Sequence, residues 1–66
     1  MRTVRIKYDT ELQSKSRVVT LHAGSQVQGS YIVYHGQPSY VIRQRDEATG
    51  EYMTAHVPVY DLIIPN

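Results

Sequence analysis

Tyrosine and arginine are the residues of this 66-residue chain whose types and spacing best suit binding chemistry. The chain has six tyrosines and neither phenylalanine nor tryptophan, so every tyrosine ring combines an apolar body with a polar tip. Small β domains bind single-stranded nucleic acid by stacking bases on such rings while arginines hold the phosphates. The candidate residues for binding nucleic acid or another partner are Tyr31, Tyr34, Tyr40, Arg43, Arg45 and Tyr52.

The same tyrosines have a plainer interpretation. Tyrosines on an inward strand face would be core residues, and those on an outward face would form cross-strand pairs. Seven Lys and Arg residues against six Asp and Glu residues give a net charge of +1, whereas nucleic-acid-binding domains usually carry a clear basic excess. Composition therefore favours the plainer interpretation, and the binding interpretation stays open beside it.

Patterns for catalysis and metal binding do not occur in the sequence. The absence of cysteine excludes disulfides and thiolate metal sites. His22, His35 and His56 lack the spacing of metal ligands, and neither of the last two has an adjacent carboxylate to make it a general acid or base. No nucleophile elbow, phosphate loop or paired-carboxylate pattern is found. We therefore expect a non-enzymatic protein with no metal and no cofactor.

The elements that must position these residues are β-strands. Apolar and polar residues alternate in the first segment, and β-branched or aromatic residues fill later segments between turn signals. No segment carries a helical apolar stripe of useful length. The predicted strands are Thr3–Tyr8, Arg17–His22, Val27–His35, Tyr40–Arg45 and Glu51–Val57, followed by a 3₁₀ turn and a short strand at Leu62–Ile64.

The connections are predicted from turn residues. The polar segment Asp9–Ser16 has no periodicity, so we expect a loop or one helical turn there. Residues 36–39 should interrupt strand pairing, because Pro38 has no amide hydrogen to donate. Asp46–Gly50 predicts a hairpin loop. Gly29 stands among strand formers, where glycine indicates a sharp bend or a close neighbour. The glycines with predicted structural roles are Gly24, Gly29, Gly36 and Gly50.

Short strands in regular succession predict an all-β fold, a small five- to six-stranded SH3-like or Sm-like barrel in a single domain covering residues 1–66. A chain of this length buries only about 60% of its unfolded surface, so a partner subunit is a natural source of further stability. Ile32 and Val33 are apolar on opposite faces of one strand, which also indicates a partner. We expect a homo-oligomer.

The spacing V-x-L-x-x-G-x-x-V-x-G-x-Y over Val19–Tyr31 resembles the first motif of the Sm-like (Hfq-like) family of RNA-binding proteins. The resemblance implies a hairpin turn at Gly24 and a strongly bent strand at Gly29, within an oligomeric barrel. The family's RNA-contacting Asp and Asn pattern is missing from His35–Tyr40, and Pro58 stands where the family has a functional histidine. The resemblance therefore carries over the fold and oligomerisation, and not uridine recognition.

Two features of the C-terminal third also resemble known families. The run MTAHVPVYDLIIPN resembles the second Sm-like motif, a short turn leading into a closing strand that pairs with the adjacent subunit. The pattern P-V-x-x-L over Pro58–Leu62 is similar to the end of type II dihydrofolate reductases, which are tetramers of SH3-like barrels. The reductase pore uses the segment V-Q-I-Y, whereas Met53–His56 reads MTAH, so this activity is an outlying hypothesis.

The sequence thus predicts a regulatory module that binds RNA or single-stranded DNA without catalysis. The alternative is a protein–protein interaction module, such as a small inhibitor or accessory protein of a mobile element. No apolar run approaches the ~18 residues of a membrane span, and the start MRTVRIKYD lacks a signal peptide's apolar region. We expect a cytoplasmic protein with no membrane partner.

Overall fold

Residues 1–65 are described by a computed structural model, in which seven antiparallel strands form one curled sheet with the shape of a half-barrel. The all-β fold class is therefore confirmed. The order of strands across the sheet is β3-β2-β6-β5-β4-β1-β7. The strands are β1 Arg2–Ile6, β2 Thr10–Gln13, β3 Val18–Leu21, β4 Gln26–Tyr34, β5 Gln37–Arg45, β6 Tyr52–Pro58 and β7 Leu62–Ile63, with a 3₁₀ turn at Val59–Asp61.

Strand β2 is the element that the sequence analysis missed. Leu12 is 0% exposed, and the exposed residues on either side of it give the alternation of a half-buried strand. This strand pairs with β3 along its whole length and with β6 through one pair, Gln13 with Thr54. The prediction of a loop over Asp9–Ser16 is wrong in this part, because one apolar residue among polar neighbours is too weak a periodic signal.

The sheet curls without joining its ends into a closed barrel. Strands β3 and β7 form its two edges, and no ladder joins them among residues 1–65. Seven strands are present where five or six were expected. The two edge strands are only four and two residues long, which limits the backbone that other chains could pair with. In the same described part of the chain, no helix has the length and apolar character needed to cross a bilayer.

The hydrophobic core lies on the inward face of the sheet and draws on six of the seven strands. Alternation along each strand supplies one inward residue in two, as expected for a sheet with one buried face. Val19 and Leu21 of β3 pack against this core from the edge. The buried members are Val4, Ile6, Leu12, Val27, Tyr40, Ile42, Met53, Val57 and Leu62.

Strand β4 changes partners at Gly29. Residues 26–29 pair with β1 and residues 29–34 pair with β5, so Gly29 faces Arg2 on one side and Ile42 on the other. A Cβ atom at Gly29 would lie 3.0 Å from Ile42 Cδ1 and 3.1 Å from the Val41 carbonyl oxygen. Gly29 therefore has close neighbours, and the strong bend expected at this residue stays a prediction. Gly24 has a φ of 92° in the turn before β4, the left-handed conformation that favours glycine. The hairpin expected at Gly24 is wrong, because the strands that this turn joins, β3 and β4, are not neighbours in the sheet.

A two-residue turn joins β4 to β5. His35 and Gly36 have φ values of 52° and 75°, the positive values of a type I′ hairpin turn. The predicted interruption at residues 36–39 is wrong, because Pro38 is paired with Val33 inside β5. In this register Pro38 directs its nitrogen away from β4, and pairing with β6 begins only at Ser39, so no ladder hydrogen bond is lost.

An ion pair ties the β2–β3 turn to the β5–β6 loop. Arg17 donates from Nε to Asp46 Oδ2 at 2.6 Å and from Nη2 to Asp46 Oδ1 at 2.7 Å. Asp46 is 3% exposed and also accepts a hydrogen bond from the Ala48 amide. The hydrogen bonds from Arg17 hold the pKa of Asp46 below its ordinary value, against the opposing effect of burial.

The stability of the protein should therefore depend on the ionisation of Asp46. A lowered pKa in the folded state means that the stabilisation is fully present above the unfolded-state value of about 3.9 and is lost as pH falls through the folded value. Asp46→Asn is expected to melt at a lower temperature than the parent at pH 7. The difference should shrink as pH is lowered below about 4, measured by circular dichroism melts.

The neighbouring Glu47→Gln variant is the matched control, because Glu47 is exposed in the same loop. It should melt close to the parent temperature at every pH. A difference between Asp46→Asn and the parent that stays constant from neutral to acid pH would contradict this role of the ion pair.

Candidate functional site

Strands β4, β5 and β6 lie side by side and present one outward surface, here called the outer face. Its side chains are the residues that alternate with the core residues along the three strands. Arg43 is paired with Thr54, and Arg45 is paired with Tyr52, so both arginines lie beside β6. The outer face includes Ser30, Ile32, Tyr34, Ser39, Val41, Arg43, Arg45, Tyr52, Thr54 and His56.

Tyr34 and His56 form one aromatic platform on this face. Their ring centroids lie 4.0 Å apart, and the ring planes are inclined by only 18°, which makes a stacked pair. Strand β5 separates the two strands that carry them, so the stacked rings lie across β5. The His35 ring also contacts Tyr34, with centroids 4.2 Å apart and ring planes inclined by 75°. Contacts with two neighbouring rings hold Tyr34 in place.

Ser39 explains how the two rings meet across a strand. Tyr34 is paired with Gln37, and His56 is paired with Val41, so Ser39 stands midway between these two positions on the same face. It is 2% exposed although it faces outward. A short side chain at this position leaves room for the rings to cross, and its hydroxyl donates to the Gln37 carbonyl oxygen.

Tyr52 forms the second platform, at the other end of β6. The guanidinium carbon of Arg43 lies 4.0 Å from the Tyr52 ring centroid, which is the geometry of a cation–π contact. Arg45 is paired with Tyr52 in the strand register. The Tyr52 ring is more than half exposed. An aromatic surface and two arginines thus occupy the same end of the outer face.

Charge is separated between the outer face and the rest of the chain. Strands β4, β5 and β6, residues 26–34, 37–45 and 52–58, contain two arginines and no Asp or Glu. One of the acidic residues, Asp46, is already paired with Arg17. A net charge of +1 for the whole chain therefore conceals a cationic surface.

The six predicted binding residues divide between the two faces of the sheet. Tyr34, Arg43, Arg45 and Tyr52 lie together on the outer face, whereas Tyr40 is 6% exposed and belongs to the core. The plainer interpretation therefore holds for Tyr40, which cannot contact a ligand at the surface.

Tyr31 shares the inward face with Tyr40 and packs edge-on against its ring, with centroids 6.0 Å apart. Its own ring remains 59% exposed, because this end of the hairpin extends beyond the core. Tyr31 therefore lies on the opposite side of the sheet from the outer face.

His56 is the aromatic residue of the outer face that was not among the candidate binding residues. Its alternation with Met53 and Val57, which are buried, would have placed it outward beside Thr54. Its stacking on Tyr34 could not be read from the sequence, because the two residues belong to strands separated by β5.

An acidic cleft borders the outer face at its His56 end. It has a volume of about 250 Å³ and lies between β2, the end of β6 and the 3₁₀ turn. Its lining includes His56 and three carboxylate residues, Asp9, Glu11 and Asp61. Within residues 1–65, no group of three or more potential ligand side chains is arranged to hold a metal ion.

Comparisons with family models, curated proteins and solved structures found no match to this chain. The Sm-like and SH3-like resemblances therefore stay predictions. The geometry and charge of the outer face are the basis for assigning a function.

Proposed function

We propose that this protein is a non-catalytic module that binds single-stranded RNA or DNA on its outer face. The observation that carries the proposal is the combination of two exposed aromatic platforms with Arg43 and Arg45 on strands that contain no carboxylate. Stacking of a base on an aromatic side chain is worth about 1–3 kcal/mol. Guanidinium groups attract phosphates without depending on the base sequence.

Preorganisation supports this role. The Tyr34 ring is held by His56 and His35, and the Arg43 guanidinium is held by the Tyr52 ring. Side chains that are already ordered lose little conformational entropy when a ligand binds. Assembly of several copies would add avidity for a long strand, since each copy would bring its own outer face. A homo-oligomer with a regulatory role in the cytoplasm belongs to the same proposal.

Truncation of the platforms should weaken binding. Tyr34→Ala is expected to reduce the affinity for oligouridylate and oligothymidylate by about 5- to 150-fold, the equivalent of one stacked base. Arg43→Ala should weaken binding and reduce the slope of log affinity against log salt by about 0.7, the value for one phosphate contact on a single strand. Fluorescence anisotropy with labelled strands over a series of salt concentrations measures both quantities.

Tyr31→Ala is the matched control, because Tyr31 is an exposed tyrosine of the same strand on the opposite face. It should bind as the parent does, and a melt of each variant shows whether the fold is retained. Parent-like affinity in folded Tyr34→Ala and Arg43→Ala would remove the outer face as the binding surface.

A protein–protein interaction module is the second candidate, including an inhibitor or accessory protein of a mobile element. The end of the β4–β5 hairpin favours it, because four consecutive apolar or aromatic residues, Tyr31 to Tyr34, are exposed there. Exposed apolar patches of this kind often mark protein contacts. Recovery from lysate of one stoichiometric protein partner would select this function over nucleic-acid binding, provided that the complex survives nuclease treatment. The Val33→Lys variant should then fail to recover the partner.

A further inference from the structure

The distance between the two platforms can be read from strand β6. Tyr52 and His56 are on the same face of this strand and four residues apart. At about 3.3 Å per residue, their Cα atoms lie roughly 13 Å apart. Neighbouring stacked bases rise by about 3.4 Å, so two adjacent stacked nucleotides cannot reach both platforms.

The arginines lie beside the interval between the platforms. Arg43 is paired with Thr54, midway along the interval, and Arg45 is paired with Tyr52 at its end. Both belong to β5, on one side of β6. Phosphates placed over these two residues would follow the direction of β6 and connect bases stacked at its two ends.

The other side of β6 disfavours phosphates. At the His56 end, the cleft between β6 and β2 is lined by Asp9, Glu11 and Asp61. Carboxylates repel phosphates, so a strand that reaches the Tyr34–His56 platform should keep its backbone on the β5 side. The charge distribution therefore defines one path along the surface.

The middle of the path has no aromatic side chain. Thr54 is exposed between Tyr52 and His56, and its paired neighbours are Arg43 on β5 and Gln13 on β2. These side chains can bind phosphate or sugar oxygens but offer no ring for a base to stack on. Nucleotides in the middle of the path should therefore contribute their backbone and not their bases.

We propose that the outer face binds a segment of about three to five nucleotides along β6, with its two end bases stacked on the Tyr52 and Tyr34–His56 platforms. Five nucleotides span the interval if each step has the stacked rise of about 3.4 Å. Three nucleotides are enough if the chain between the two end bases is extended to about twice that rise per step. Duplexes should bind only through charge, since their bases stack on one another. The inference rests on the proposed function.

The length of the bound segment can be tested with oligothymidylates of two to eight nucleotides. Affinity should rise by about 5- to 150-fold at the length that first reaches both platforms, because a second base then stacks. Longer strands should gain only a small statistical increase. A smooth rise with length, with no step between two and five nucleotides, would overturn the inference.

The positions of the stacked bases can be tested on the shortest strand that reaches the plateau. An abasic nucleotide at either end should cost about 5- to 150-fold in affinity, whereas one in the middle should cost little. In the Tyr52→Ala variant, an abasic nucleotide at the end that stacks on Tyr52 in the parent should cause no further loss of affinity. The Tyr31→Ala variant should show the same losses as the parent. Equal losses at all positions would overturn the inference while leaving the proposed function intact. If no single-stranded oligonucleotide binds, both the inference and the proposed function are wrong.

Discussion

Leu12→Ala is expected to lose about 2–5 kcal/mol of unfolding free energy, the cost of deleting a fully buried leucine side chain. Leu12 is 0% exposed, and β2 is joined to the rest of the sheet beyond β3 by the single pair of Gln13 with Thr54. Packing of the Leu12 side chain therefore contributes strongly to holding β2 and β3 against the core, together with Val19 and Leu21 of β3. A domain of this size has about 3–10 kcal/mol of total stability, so the variant should be partly or largely unfolded.

Urea titration followed by circular dichroism measures this loss. Val18→Ala is the control, because Val18 is a half-exposed apolar residue of the adjoining strand and its truncation leaves the core intact. We expect it to change the unfolding free energy by no more than about 0.5 kcal/mol. Equal losses in the two variants would mean that β2 is not packed against the core.

Gly29→Val should be the second strongly destabilised variant, with a loss of about 1–3 kcal/mol or more from overpacking. The Cβ atom alone would lie 3.1 Å from the Val41 carbonyl oxygen, and valine adds two methyl groups beyond it. The Val41 carbonyl belongs to the ladder between β4 and β5, so it cannot move away without disturbing that pairing. The strain falls where β4 changes partners, and it should also disturb the hairpin that carries Tyr34.

Ser30→Val is the matched control for this substitution. Ser30 is the next residue of the same strand, is exposed on the outer face, and occupies a position where a β-branched side chain is favourable. Thermal melts should show a lowered midpoint for Gly29→Val and a nearly unchanged one for Ser30→Val. A Gly29→Val variant as stable as the parent would show that the space around this glycine is not restrictive.

Local patterns in the sequence determined the all-β class, most strand positions and several of the turns. Period-two alternation identified β1, and β-branched or aromatic runs identified β3 to β6, because both signals depend only on neighbouring residues. Gly24, Gly36 and Gly50 adopt positive φ values, and Gly29 has a close neighbour, as glycines in such contexts predict. The 3₁₀ turn after Pro58 and the short final strand were predicted in the same way.

Only the tertiary structure decided which residues meet. Strand β2 depends on the burial of Leu12 by distant parts of the chain, and Asp46 is buried because Arg17 reaches it from another turn. The Tyr34–His56 platform requires a particular register of three strands and a small residue between the rings. Strand register and sheet curvature arise from packing over the whole core. Neighbouring residues in the sequence can therefore place a tyrosine in a strand, but they cannot identify the residue that it contacts on another strand.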